Sequence, residues 1–454
     1  MSVVGRVTQP DQQGEIASVC AAIEPDAVAL RRDLHANPEL GWCEYRTTSL
    51  VHRELEELGC AIRWGRELYG DVERLGVPDA TTLAEFEARA IATGVPAQEI
   101  RAMAGGRTGL IATFDSGRPG PTIAVRADID ALPLDEDPSA EHLPTRDGYR
   151  SQVPNVMHAC AHDGHTAVAV GLARALRALG EPKRGRVVLV FQPAEEGTRG
   201  ADALVRAGAV DQLDVALTYH ILSNVGLDVG QIGPDVSGML ATRKVRIECR
   251  GYASQFASSP QHGRNALTVA SAIVLLSASI PRKPGIRSMI NCGKVVAGTA
   301  SNVVPALAVI EAEVRSEDEA EVDRLSGELE MLVRGLGSAF GVETTVVTTG
   351  LAPTSRATPD LAALVAHEAR EMGLAVRGQV VLGASDDAAI VMRQAQQRGG
   401  QGIYIALGSG PYRPHHSPDF DFDERAIGQG IELLARTIVA LQRSDPGRDS
   451  AGGG

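Results

Sequence analysis

Apolar positions between residues 15 and 60 recur at helical spacing, with a break at Asn37-Pro38. Residues 70–104 are polar and read as helical over 82–101. The period then shortens. Two apolar runs, 110–114 and 122–126, flank Gly117-Arg118-Pro119-Gly120-Pro121, which predicts a strand, a tight turn and a strand. Val168, Leu172, Ala175, Leu176 and Leu179 restore helical spacing. Residues 186–191 and 215–220 read as buried strands, with a helix over 201–207 between them. Strands alternating with helices predict an α/β fold, a mostly parallel sheet flanked by helices.

From residue 243 the pattern changes. Val245, Ile247 and Cys249 alternate as in a strand, and 265–280 is a helical run. Two strands follow at 286–296 and 306–315, then a helix over 317–340 and a strand over 342–348. The order β-α-β-β-α-β is ferredoxin-like. Residues 243–350 are therefore expected to form an inserted α+β domain, splitting a catalytic domain into 1–242 and 351–454. The first pattern resumes with helices over 359–372 and after Asp387, a strand at 403–407 and a helix over 424–443. The tail from 445 is expected to be disordered. A chain of 454 residues exceeds one ordinary core, which agrees with two domains.

Charge and composition remove several classes of partner. The formal net charge of -13 argues against nucleic acid and anionic membranes. No apolar run approaches the roughly 20 residues of a membrane span. Residues 1–20 lack the basic, then apolar, pattern of a signal peptide. The six cysteines are scattered, which reads as reduced thiols in a cytoplasmic protein.

One cysteine stands apart. Met157-His158-Ala159-Cys160-Ala161-His162-Asp163-Gly164-His165 places a thiol two residues from an imidazole, a pair able to bind transition metals. Taken alone, such a pair is more often a buried cysteine beside a capping histidine. Phe191-Gln192-Pro193-Ala194-Glu195-Glu196-Gly197 follows a strand, where open α/β sheets place their sites. Adjacent acids are expected to point apart, one to a metal and one to a water as general base. His220 ends a strand, and His415-His416-Ser417-Pro418 follows another. Four segments thus deliver Cys, His and Glu to strand ends, which points to a binuclear site. His158 and His165 are expected to support it. His35, His52, His142, His262 and His367 read as structural or solvated.

These motifs resemble the M20 metallopeptidase family, in its amidohydrolase branch. The resemblance covers nearly the whole chain and includes Arg126-Ala127-Asp128-Ile129-Asp130-Ala131-Leu132, Asn302-Val303-Val304-Pro305 and His416-Ser417-Pro418. It implies two divalent ions, manganese or zinc, bridged by Cys160. His162 and His220 would complete one site, Glu196 and His416 the other. Glu195 would be the base. The resemblance also implies a small aromatic, anionic substrate and a homodimer formed through the inserted domain.

Three positions on the substrate side depart from the family pattern. Ala161 stands where the family has glycine, and its methyl is expected to narrow the pocket floor. Gln255 replaces a histidine that reaches into the neighbouring protomer's site to stabilise the oxyanion; losing one such donor typically costs roughly 10²–10³ in rate. Ala384-Ser385-Asp386-Asp387 stands where the family has Gly-Ser-Glu-Asp, which keeps the acid but shortens its side chain. Gln255, Asn302, Ala161 and Ser385 are thus the candidate substrate-side residues. Hydrolysis of an acyl-amino-acid amide is the leading reading. Hydrolytic deamination of an activated aromatic ring, as a family member performs on 5-nitroanthranilate, is the second. A weakly active component of a hetero-oligomer is the third.

Overall fold

The structure, a computed structural model, describes residues 10–223, 225–410 and 413–443. The tail expected to be disordered, and the first nine residues, lie outside them. Fourteen strands are described: β1 (Ala61–Trp64), β2 (Leu110–Asp115), β3 (Thr122–Asp128), β4 (Arg186–Gln192), β5 (Val215–Leu222), β6 (Gln231–Gly233), β7 (Asp235–Ser237), β8 (Ala241–Arg250), β9 (Ser288–Ala297), β10 (Leu307–Ser316), β11 (Glu343–Ala352), β12 (Ala375–Val376), β13 (Gln379–Val381) and β14 (Gln401–Gly408).

Eight of them form one sheet in the order β1-β2-β4-β3-β5-β14-β6-β12. Its centre, β4-β3-β5-β14, is parallel throughout. These strands are buried on both faces, which explains their near-continuous apolar runs. Alternate residues enter opposite cores. Val125, Leu189, Leu217 and Ile405 pack in the core that also holds Val168 and Leu172 of helix His162–Ala178 and Ile427 and Leu434 of helix Arg425–Arg443. Ala124, Val188, Val190 and Ala216 pack on the other side with Leu204 of helix Gly200–Arg206 and Val391 of helix Ala388–Gln396. Fully burying one such aliphatic side chain stabilises by about 1.5–3 kcal/mol.

The turn at Gly117–Pro121 does not make a hairpin. β4 lies between β2 and β3, antiparallel to the first and parallel to the second. A short apolar run carries no partner preference, so only the sheet reveals the inserted strand. The helix expected over 82–101 is two helices, Ala80–Ala92 and Ala97–Ala102. Gly94, at positive φ, and Pro96 end the first and start the second.

Strands β8 to β11 form a separate antiparallel sheet in the order β11-β8-β10-β9. In chain order this is fourth, first, third, second, the ferredoxin-like arrangement. Val245, Ile247, Ile310 and Val314 on one face pack with Val269 and Ile273 of helix Ala266–Ser277 and Leu325 and Leu329 of helix Glu319–Phe340. The other face carries Lys244, Arg246, Glu311, Glu313 and Arg315. It turns toward the carboxyl ends of the large sheet's strands, where Lys244 and Arg315 line a cavity with Cys160 and Glu196.

Candidate metal centre and catalytic pocket

The carboxyl ends of β3, β4, β5 and β14 converge on a cavity of about 290 Å³. Each parallel strand contributes a chemical group because all four end on the same side. After β3, the carboxylate of Asp130 accepts the backbone N–H groups of Glu195 (3.0 Å) and Glu196 (2.9 Å). It thereby fixes the turn after β4. Ala194 and Thr198 have φ of 54° and 56°, and Gly197 has φ of 105°. In so tight a turn both carboxylates reach the same cavity. The expectation that neighbouring acids point apart holds for extended backbone and fails here. Donor atoms of Glu195, Glu196 and His162 all lie within 4.8 Å of one another.

The imidazoles are oriented by backbone groups. His162 Nδ1 lies 2.9 Å from the carbonyl oxygen of Asp130 and donates to it. Its Nε2 is buried with no hydrogen-bond partner and lies 3.9 Å from Glu195 Oε2. His220 Nδ1 donates to the Ile221 carbonyl at 2.9 Å, leaving Nε2 3.6 Å from Cys160 Sγ. His165 differs. The Ile221 N–H donates to its Nε2 at 2.9 Å, so its proton is on Nδ1, which donates to Asp128. Both ring nitrogens are used, and His165 supports the strand carrying His220, as expected of it. His158 is buried with neither nitrogen partnered.

His416 has φ of 63°, and its N–H donates to the Ala159 carbonyl at 2.8 Å. This ties the loop after β14 to the cysteine segment. Its Nε2 lies 3.3 Å from Glu196 Oε1 without hydrogen-bond alignment. Cys160, Glu196 and His416 offer donor atoms within 4.8 Å of each other. His162 and His220 form a second such group with Asp128 and His165. Cys160 Sγ, a member of the first group, lies 3.6 Å from His220 Nε2 of the second.

This donor set fits divalent transition metals. A buried polar atom without a partner costs roughly 1–3 kcal/mol, so His162 Nε2 and Glu196 Oε1 need one. A thiolate, three imidazoles and a carboxylate suit zinc, manganese and their neighbours. The fit is independent of any relative.

Charge around Glu195 is distinctive. Burial, and then Asp386, Glu196 and Asp387, push its carboxyl well above the usual range. Burial also disfavours the charged form of Glu196, but His416 and His162 outweigh it and hold that carboxyl near 2. Adjacent residues are thus poised oppositely, one to exchange a proton and one to stay anionic. Behind them Arg126 is fully buried, 2.6 Å from Asp128 and 2.9 Å from Asp387. Tyr404 donates to Asp386 at 2.9 Å. The acids of the Ala384-Ser385-Asp386-Asp387 loop are therefore held by a buried arginine and a tyrosine, while Ser385 lines the cavity with a free buried hydroxyl.

Of the candidates, Cys160, Glu195, Glu196, His220, His416 and Ser385 line this cavity, and His162 adjoins it. Three do not reach it. Ala161 is fully buried in the core behind the site, at φ of 64°. Its methyl does not narrow the pocket floor; it strains the backbone by roughly 1–2 kcal/mol. Gln255 is exposed in the segment that follows β8, bridged to Val303, its Oε1 accepting the Ala257 N–H at 2.7 Å. Asn302 is exposed beside it, its carbonyl accepting the Phe256 N–H. Sequence reasoning passed over Lys244, Arg315, Tyr404 and His415, which line the same cavity. His415 was visible as half of a histidine pair. The other three lie on strands, where nothing marks them.

A mostly parallel sheet whose strand ends present a thiol, imidazoles and paired carboxylates defines a metal-binding hydrolase. Residues 124–440 match the model of peptidase family M20/M25/M40, and the chain belongs to that family. It is 38% identical to one of the subunits of p-aminobenzoyl-glutamate hydrolase from Escherichia coli (strain K12), over 92% of this chain and 96% of that protein. It is also 38% identical to indole-3-acetyl-aspartic acid hydrolase of Enterobacter agglomerans, over 91% and 95% respectively. Its fold is similar to a solved aminobenzoyl-glutamate utilization protein from Klebsiella pneumoniae, with a TM-score of 0.79, 32% identity and coverage of 92% and 96%. It is similar as well to Bacillus subtilis YXEP, described as a dinuclear metal-binding peptidase of the M20 family, with a TM-score of 0.62, 25% identity and coverage of 94% and 100%.

Proposed function

We propose that this protein hydrolyses the amide joining an aromatic acyl group to an amino acid, with two divalent ions that Cys160 would help to hold. His162 and His220 would hold one ion, Glu196 and His416 the other. Manganese and zinc suit this mixture of thiolate, imidazole and carboxylate. When bound, the ions would supply Lewis acidity toward the scissile carbonyl and the attacking water. Glu195 takes a proton from that water on a carboxylate oxygen and delivers it to the leaving nitrogen. Burial and the neighbouring Asp386, Glu196 and Asp387 raise its pKa, which favours holding the proton between the two transfers. The observation that carries the reading is the convergence of Glu195, Glu196 and His162, whose donor atoms lie within 4.8 Å of one another, with His162 Nε2 and Glu196 Oε1 buried and unpartnered.

Amide cleavage is favoured by the names of the two relatives, and ring deamination has lost one of its supports. Ala161 lies behind the pocket and gives no preference for a single ring. Residues 243–350 are assigned as a lid and dimerisation domain. Among the described residues, eleven of thirteen large exposed hydrophobic side chains, such as Leu275 and Val296, lie between 252 and 347. A homodimer would bring Gln255 of one protomer toward the other's site. Six free cysteines, one of them a metal ligand, support a reducing, cytoplasmic setting.

The test supplies Mn²⁺ or Zn²⁺ to the purified protein and compares aminobenzoyl-glutamate, hippurate and 5-nitroanthranilate. Release of the amino acid from the amides is expected. Ammonia from the ring substrate with inert amides would overturn the reading. Activity of the chain alone would also remove any need for a second kind of polypeptide.

A further inference from the structure

Beside the metal cavity lies a second chamber of about 670 Å³. The two share Gly197 and Lys244. Small-molecule sites span about 300–1,000 Å³, so the metal cavity alone is small for an aromatic acyl-amino acid and the pair is ample. One wall is the open face of the small sheet, with Lys244, Arg246 and Asn291. The opposite wall is the segment Gly76–Val77–Pro78–Asp79, just before helix Ala80–Ala92. Arg199 clamps that segment to the metal turn, its Nη1 donating to the Gly76 carbonyl at 2.8 Å and its Nε to the Glu196 carbonyl at 3.0 Å. The chamber is therefore built onto the catalytic turn.

Its charges are unevenly satisfied. Glu311 and Glu313 also line it, and in register they face Arg246 and Lys244 across β10 and β8. They pair elsewhere, however: Glu311 with Lys294 at 3.1 Å and Glu313 with Arg315 at 3.0 Å. Asp79 accepts the Thr82 N–H at the head of its helix. Lys244 and Arg246 form no ion pair among the described residues. Two residues apart on one strand face, they stand about 7 Å from each other. Two unpaired cations in a chamber opening onto the metal centre are an anion site.

We infer that this chamber binds the side-chain carboxylate of an acidic leaving amino acid, with Arg246 and Lys244 as its specificity-determining residues. The inference rests on the amide reading above and narrows it to amides of dicarboxylic amino acids. Both relatives are named for such amides, one of glutamate and one of aspartate. Arg246 suits the role because its planar fork pairs with a carboxylate through two hydrogen bonds.

The test compares aminobenzoyl-glutamate with aminobenzoyl-glutamine, which differ only in that charge. In the metal-loaded enzyme, Arg246→Ala should lower the glutamate-over-glutamine ratio of kcat/KM by about 10–100-fold, the worth of a charge-assisted contact. Arg246→Lys should recover part of it. An unchanged ratio overturns the inference. Calorimetric binding of the same two compounds to metal-free protein separates the two proposals. Charge-dependent binding weakened by Arg246→Ala, without turnover, would refute amide hydrolysis alone. Turnover with binding indifferent to the charge and to Arg246 would refute the anion site alone.

Discussion

Nδ1 of His415 lies 3.4 Å from Sγ of Cys160, while the Ser223 N–H donates to His415 Nε2 at 3.1 Å. An amide N–H is only a donor, so the ring proton of His415 must be on Nδ1, facing the sulfur. His415 thus donates toward the sulfur of Cys160, and its neighbour His416 is left to face Glu196. Adjacent histidines have distinct tasks. His415→Gln is expected to retain both metal equivalents but weaken their binding by about 10–100-fold, as loss of an outer-shell partner does. His416→Ala should lose one equivalent outright. Metal content by elemental analysis, and competition with a chelator, distinguish the two. Loss of an equivalent from His415→Gln would exchange the assignments.

Glu195 and Glu196 separate in the same way. Glu195→Gln keeps the shape of the turn and the Asp130 hydrogen bonds but cannot take a proton. Its kcat should fall by about 10²–10⁴ with metal content intact. Glu196→Gln should lose metal together with activity. Equal metal loss in both variants would show that the two carboxylates share ligation.

Much of this site was legible because ligands sit at strand ends, and strand ends can be read from where apolar runs stop. His220 and Glu196 were found that way, and Cys160 by its two-residue spacing from His162. What the sequence hid is backbone conformation and burial. The positive φ at Ala194 and Thr198, which turns both carboxylates inward, has no side-chain signature. Asp130 reads as one acid among many until its carboxylate is seen to accept two N–H groups of the catalytic turn. Lys244 and Arg246 have the alternation of a solvated strand face, and only the opposing 76–79 segment makes them a wall. That β4 pairs between β2 and β3 is a property of the whole sheet, which neither apolar run nor the turn encodes.

Arg31 is a structural anchor behind the pocket. It is fully buried, 2.8 Å from Asp163, 2.6 Å from Asp421 and 3.2 Å from Glu424, with its guanidinium 4.4 Å from the Phe422 ring centroid. It joins the helix Pro10–Ala36 to the start of helix His162–Ala178, one residue from His162. Arg31→Met would leave Asp163 buried without its cation. A loss of about 3–5 kcal/mol in denaturant unfolding is expected. A loss under about 1 kcal/mol, the level of an ordinary exposed pair, would mean that His35 alone neutralises Asp163.

His35 itself sets a pH dependence. Its two nitrogens lie 2.8 Å from Asp163 and 3.0 Å from Glu136, so both act as donors and the ring is cationic. Burial opposes the charge, but these carboxylates outweigh it and raise the pKa from 6.5 to about 9. For Glu136, burial is outweighed by His142 and His35, which lower it from 4.5 to about 2. A raised histidine stabilises fully below its unfolded pKa, and that contribution is lost as pH rises from 6.5 through 9. A lowered carboxylate stabilises fully above 4.5 and is lost as pH falls through 2. Together they are greatest between 4.5 and 6.5. The histidine part amounts to about 3 kcal/mol. The stability difference between wild type and His35→Gln should therefore shrink between pH 6.5 and 9 in denaturant titrations. A difference constant across that range would contradict a cationic His35.

The proposed homodimer would pair through the small-sheet domain, where apolar side chains are exposed. The sequence of helix Ala266–Ser277 contains no charged residue. Leu275 is 73% exposed on it, and Leu267 and Leu276 are exposed as well. A helix that meets water normally turns a charged face outward, so this one is made to be covered. Next to it, β9 is an edge strand with Val296 60% exposed. An unpaired apolar edge can extend its sheet onto the same edge of another copy, which a two-fold axis allows for both at once. Charges on that surface should then abolish association without unfolding the protomer, because Leu275 and Val296 contribute little to its core. Wild type is expected to be a dimer by light scattering, and Leu275→Asp with Val296→Asp a folded monomer at the same concentration. A wild type that is monomeric alone, and associates only with a different polypeptide, would transfer this surface to a hetero-oligomer.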